Sequence, residues 1–250
     1  MTFRDWILSN YPEGSGIKGT WGTLHIITLL LVVGVIIGIA FLRRKSERVR
    51  RGVIITIAAL IFCFEITRRI TWFINGSAYD FTSTMRTLLP RPWCAISCWF
   101  FIVSAFVNKK FLYNFTAMSG FLCTLIFFAY PTVGFNNKYI LFENLYSIST
   151  HALLMIGCIS LITLRFTCFE KNTAWKEGIC LAATFVYAFV EIFLLKIEGD
   201  PLYFMPISEA REVLGITSYP VYLLVYLIFL CIYFGAFYTV QYLVKKKKNK

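Results

Sequence analysis

Cys94 lies in the stretch "LLPRPWCAISCWF", with Cys98 one helical turn further on, and His151 lies in "SISTHALLM". A thiol and an imidazole together can do nucleophilic chemistry. The imidazole takes the thiol proton and holds the resulting ion pair, and the thiolate attacks a carbonyl carbon. These two are the natural pair, because the only other histidine is His25. Pro90 and Pro92 remove backbone donors where the apolar run begins, leaving carbonyls and irregular backbone close to Cys94. Alone, a cysteine in such a run is a small hydrophobe, and a histidine there is a hydrogen-bonded core residue. Zinc would need Cys94 and Cys98 plus a histidine brought in by tertiary folding, so no metal and no cofactor are expected.

Whatever positions these groups is embedded in lipid. Of the 250 residues, 58% are hydrophobic and 18% aromatic, while only 15% are charged. The mean hydropathy is +0.68, and a soluble domain carries roughly a quarter charged residues. A helix crosses a bilayer core with about 20 mainly apolar residues. Seven runs of that kind occur, near 23–42, 52–75, 89–107, 111–130, 145–164, 178–196 and 219–244. The expected fold is all-α: a polytopic membrane protein, a bundle of seven transmembrane helices forming one domain over 1–250. The first 22 residues contain Arg4, Asp5, Glu13 and Lys18 with no basic stretch leading into an apolar core. The first helix is therefore expected to be its own targeting signal.

Basic residues favour the cytoplasmic side. They crowd "RRKSERVRR" after the first run, recur at Lys109–Lys110, Arg165, Lys171 and Lys176, and end in "KKKKNK". This predicts an outside amino terminus and an inside carboxyl terminus. The +12 net charge then fixes topology and meets anionic lipid at the cytoplasmic face, in a multi-pass protein of the cell membrane. Nucleic-acid binding would need a basic patch on a soluble surface, so no nucleic-acid partner is expected. Cys63, Cys123, Cys158, Cys180 and Cys231 fall within apolar runs and Cys168 in a cytoplasmic connection, where thiols stay reduced.

With the runs oriented, the polar residues inside them gain a depth. His25, Glu65, Arg68, Arg69, Cys94, Cys98, His151 and Glu191 all fall in the outer half of the bilayer. Ionisable groups there cost about 2.5–3.5 kcal/mol each, so they face a bundle interior or wet cavity and are paired. One layer of them predicts a polar pocket. Glu65, Arg68 and Arg69 are spaced i, i+3 and i+4, which allows one intrahelical ion pair while the second arginine snorkels to head groups. Glu191 either pairs with one of those arginines or sits protonated near the interface. Tyr219, Tyr222, Tyr226 and Tyr233, at helical spacings, read as a bundle seam, with acyl-chain contact as the alternative.

"LLPRPWCAIS" resembles the Leu-Pro-x-His-x-Cys-x-Ile-Ser segment of the YwaF-like bacterial integral membrane proteins, which are similar to the eukaryotic transmembrane protein 164, an acyltransferase of phospholipids. The likeness continues in the early histidine of the first run, in "LFENLYSISTHALLM" and in "GDPLYFMPISEAREVLGITSYPVYLL". It implies that Cys94 accepts an acyl group, that His151 is its base with His25 nearby, and that membrane phospholipids are the substrates. Glu65, Arg68, Arg69 and Glu191 would then serve substrate binding, with the arginines holding lipid phosphate. Pro92 stands where the pattern has histidine. The rival reading is a non-enzymatic seven-helix protein, a small transporter or a ligand- or lipid-binding protein, in which the polar layer holds a solute.

Overall fold

The computed structural model describes residues 22–75, 79–129, 135, 141–197, 199–205 and 209–248. Among the described residues there are helices and no strands. The chain divides after Thr167 into two compact units.

The first unit begins with α1, Thr23–Ala40, extended by a 3-10 turn at Phe41–Arg44. Only His25, Thr28 and Val32 of α1 are buried. They follow one another at three- and four-residue steps, Leu29, Ile36 and Ile39 pack half-buried beside them, and most of the remaining surface is apolar and exposed, as suits a helix facing lipid. Helix α2, Glu47–Ile74, buries Ile54, Ile57, Ala58, Ile61, Glu65, Arg68 and Arg69. A single stripe thus changes from apolar to ionic along its length.

Helix α3, Phe81–Leu88, starts at a capping box: Ser83 N–H donates to Asp80 Oδ1 at 2.6 Å and Asp80 N–H donates to Ser83 Oγ at 2.9 Å. Donation from the Ser83 backbone N–H above all, and from the Ser83 side chain, holds the Asp80 carboxyl below its usual range. Helix α4, Trp93–Val107, follows at a 55° bend and ends at Asn108, whose φ of 53° is left-handed. Helices α5, Lys110–Ala129, and α6, Phe142–Thr163, complete the unit.

Helix α6 is the hub, packing against α1, α2, α4 and α5. Small residues allow the approach. A Cβ on Gly157 would stand 2.5 Å from Phe101 Cε2 of α4, and one on Gly120 of α5 would stand 2.4 Å from Cys158 Sγ of α6.

In the second unit a 3-10 turn at Lys171–Thr173 leads into α7, Ala174–Phe189, which runs on as a π turn over Val190–Leu194. The short α8, Glu209–Val213, precedes α9, Tyr219–Lys248. Three of the four expected seam tyrosines of α9 are fastened by their hydroxyls to the backbone of Leu202–Phe204, while Tyr233 packs against Phe229, Phe234 and Phe237. Tyr219 donates to the Phe204 carbonyl at 3.1 Å, Tyr226 to the Leu202 carbonyl at 2.7 Å, and Tyr222 to the Tyr203 carbonyl.

Among the described residues, five helices are long and apolar enough to cross a membrane, and six if the bent α3–α4 pair counts as one. The expected run at 52–75 is present within α2, but Glu65, Arg68 and Arg69 interrupt its apolar stretch. The expected run at 89–107 is shorter than drawn, because Leu89–Pro92 forms the bend and α4 begins at Trp93.

Candidate functional site

The ionic end of α2 is built around one carboxylate. Arg69 Nη1 donates to Glu65 Oε2 at 2.6 Å and to the Glu65 carbonyl at 2.8 Å. Arg68 Nη2 donates to the same Oε2 at 3.3 Å, and the Tyr146 hydroxyl of α6 donates to Oε1 at 2.6 Å. Both arginines are buried, at 8% and 7% exposure, and Glu65 is fully so. The expected division, one arginine paired and the other snorkelling, is replaced by two cations sharing one anion. Aromatic faces carry part of the excess charge: Arg68 lies 4.7 Å from the Trp72 ring centroid and 5.2 Å from that of Tyr146, and Arg69 lies 5.3 Å from that of Trp99.

Arg69 also shapes the backbone that carries Cys94. Its Nε donates to the Leu88 carbonyl at 2.8 Å, an acceptor that the end of α3 leaves without a helical partner. The break between α3 and α4 is therefore tied to α2. Pro92 is the N-cap of α4, and its carbonyl accepts from Ala95 N–H at 2.9 Å and Ile96 N–H at 3.2 Å. Cys94 is then the second residue of α4, in the turn where backbone N–H groups point outward and the helix end is positive. The charges of Arg68 and Glu65 bear on its sulfur in opposite senses.

His151 of α6 lies in the same field, acted on by Arg68 and Glu65. Its ring stacks on Phe127 of α5 at 3.7 Å and 8°, and its Nδ1 is 2.7 Å from the Ser147 carbonyl. A carbonyl only accepts, so Nδ1 carries the proton and Nε2 keeps its lone pair. His25 of α1 is fully buried and hydrogen-bonds the backbone of Phe128, at the end of α5. It lies 4.6 Å from Phe135, which is 5.9 Å from Phe127. One aromatic cluster thus links the two histidines.

Beside these, Trp93 Nε1 donates to Ser119 Oγ at 2.7 Å, and Ser119 and Ser97 share a 2.8 Å hydrogen bond, fixing the first turn of α4 on α5. Among the described residues no three of His, Cys, Asp and Glu gather as a metal would require.

Glu65, Arg68, Arg69, Cys94 and His151 therefore share one electrostatic neighbourhood, and His25 joins them through aromatic rings. Glu191 belongs to the second unit, in the π turn of α7, where the Tyr187 hydroxyl donates to it at 2.7 Å. Sequence reasoning missed Tyr146, Trp72, Trp99 and Phe127. Only the need of a buried carboxylate for a further donor pointed toward a tyrosine, and nothing in the spacing said which.

No curated protein and no solved structure matches this chain. The model of the TMEM164 family matches residues 20–238, from the residues before α1 to well within α9, and the chain belongs to that family.

Proposed function

We propose that this protein is a thiol-dependent acyltransferase of membrane phospholipids, with seven membrane crossings in a cell membrane, its amino terminus outside and its carboxyl terminus inside. The observation that carries the reading is the setting of Cys94. The thiol sits on the first turn of a helix, where the positive helix end and the Arg68 charge favour an anion while burial and Glu65 oppose it, so the thiolate needs His151 beside it as an ion pair. His151 supplies an Nε2 lone pair to take the proton.

In the first half-reaction Cys94 Sγ bonds to the acyl carbonyl carbon of a phospholipid ester. The ester C–O bond breaks, and the departing oxygen takes the proton held by His151. In the second half-reaction His151 deprotonates the hydroxyl of an acceptor lipid, whose oxygen attacks the thioester carbonyl. The C–S bond then breaks, and the proton returns to Cys94. N–H groups left free at the start of α4 suit the oxyanion formed in each step. Burial of the site among apolar helices limits hydrolysis of the thioester. Helix α2 completes the seventh crossing despite its charges, because Glu65 and Tyr146 hold them inside the bundle.

The test is transfer of a deuterated acyl chain from phosphatidylcholine to a lysophospholipid in vesicles containing the full chain. Cys94→Ala and His151→Ala are expected to lose about 10²-fold or more, with thermal unfolding in place. Undiminished transfer in Cys94→Ala would overturn the reading in favour of a solute- or lipid-binding protein.

A further inference from the structure

Counting charges at the ionic end of α2 leaves a remainder. Arginine stays protonated in proteins, and a carboxylate accepting from two guanidiniums and a tyrosine hydroxyl has the bonding of the ionised form. Two cations and one anion leave one positive charge among buried groups. Among the described residues, the ion pairs of Arg68 and Arg69 are both made with Glu65. An unpaired charge in hydrocarbon is costly to retain, and a structural ion pair with matched charges would avoid that cost.

Donors are left over as well. Among the described residues, Arg68 Nε and Arg69 Nη2 are buried without a hydrogen-bond partner. The Arg68 guanidinium is flanked by the Trp72 and Tyr146 rings, so its faces are occupied and only the N–H edge can take a ligand. Glu65 cannot turn to satisfy these donors, because Tyr146 and Arg69 hold its two oxygens.

We infer that Arg68 and Arg69 form a subsite for one phosphate-type oxyanion of single negative charge, beside Cys94, matching the phosphodiester of a phospholipid. The inference rests on the acyl-transfer reading only for the lipid identity of the ligand. A phosphodiester has one charge to cancel the one left over, and its two free oxygens match the planar donors of guanidinium. An anion bound there would also set its glycerol ester within reach of the neighbouring thiol.

Binding is measured by thermal unfolding in a non-ionic maltoside, on the full chain and on Cys94→Ala, so that a failure of chemistry does not obscure it. Three probes are titrated: dihexanoyl phosphatidylcholine, dihexanoylglycerol and inorganic phosphate. The phosphodiester is expected to raise the unfolding temperature and dihexanoylglycerol to leave it unchanged. Stabilisation by inorganic phosphate with none by the phosphodiester would also uphold the subsite, with a soluble anion as its ligand. Arg68→Gln is expected to weaken binding about ten- to a hundredfold, and Arg68→Lys to keep part of it. Arg68→Gln is also expected to unfold at a higher temperature than the parent without ligand, since it removes the uncompensated cation. A folded Arg68→Gln that binds as the parent does, or equal stabilisation by dihexanoylglycerol, would overturn the inference.

Discussion

Glu65 is the residue on which the site depends. Its carboxylate is shared by Arg68, Arg69 and Tyr146, so its removal strands two buried cations. Breaking a buried ion pair from one side costs about 3–5 kcal/mol. Glu65→Ala is expected to be destabilised by that amount, measured by equilibrium unfolding in detergent. Tyr146→Phe removes one hydrogen bond to a charged group and leaves the ion pair, so a loss of about 1.5–3 kcal/mol is expected. Equal losses in the two variants would contradict a site organised around the carboxylate. The i, i+3, i+4 spacing made contact between Glu65 and its arginines legible in the sequence. That both arginines would share the carboxylate was not, because the two stay inside only where Trp72 and Tyr146 cover Arg68 and Trp99 covers Arg69, rings from three helices.

At the scale of elements, the elbow between α3 and α4 decides where Cys94 points. It is held from two sides, by the Asp80–Ser83 capping box and by Arg69 on the Leu88 carbonyl. Because the Asp80 carboxyl is held below its ordinary value of 3.8, its contribution to the cap is complete above that value and is lost as pH falls through the lowered one. The sequence did not reveal α3, since eight residues with few apolar positions give too short a periodic signal. The longer helices were legible because each apolar run is close to or above the length of a crossing. The start of α2 at Glu47 was missed, since its first turns lie in the basic stretch that reads as a connection. Packing of α6 on α4 rests on Gly157. Gly157→Ala drives a methyl into Phe101 and Ile57, and a cost of about 1–3 kcal/mol is expected. Gly34→Ala in α1, where nothing lies within 4 Å, is expected to be neutral or stabilising by up to about 1 kcal/mol. Unfolding midpoints of the two variants compare them, and a harmless Gly157→Ala would contradict the close approach.

For the whole molecule, composition was enough to place the chain in a membrane, and the family match supports that. The number of crossings depends on α2, whose buried charges interrupt a long apolar helix. An odd number of crossings puts the two ends of the chain on opposite faces, and an even number puts them on one face. A carboxyl-terminal tag is expected to resist external protease in intact cells while an amino-terminal tag is cut; cleavage of both would contradict seven crossings. Acylation of Cys94 is read by intact-protein mass spectrometry of the chain purified in native lipid. An added mass matching a fatty acyl chain, removed by hydroxylamine and lacking in Cys94→Ala, is expected. An adduct that persists in Cys94→Ala, with lipid turnover unchanged by that substitution, would contradict it.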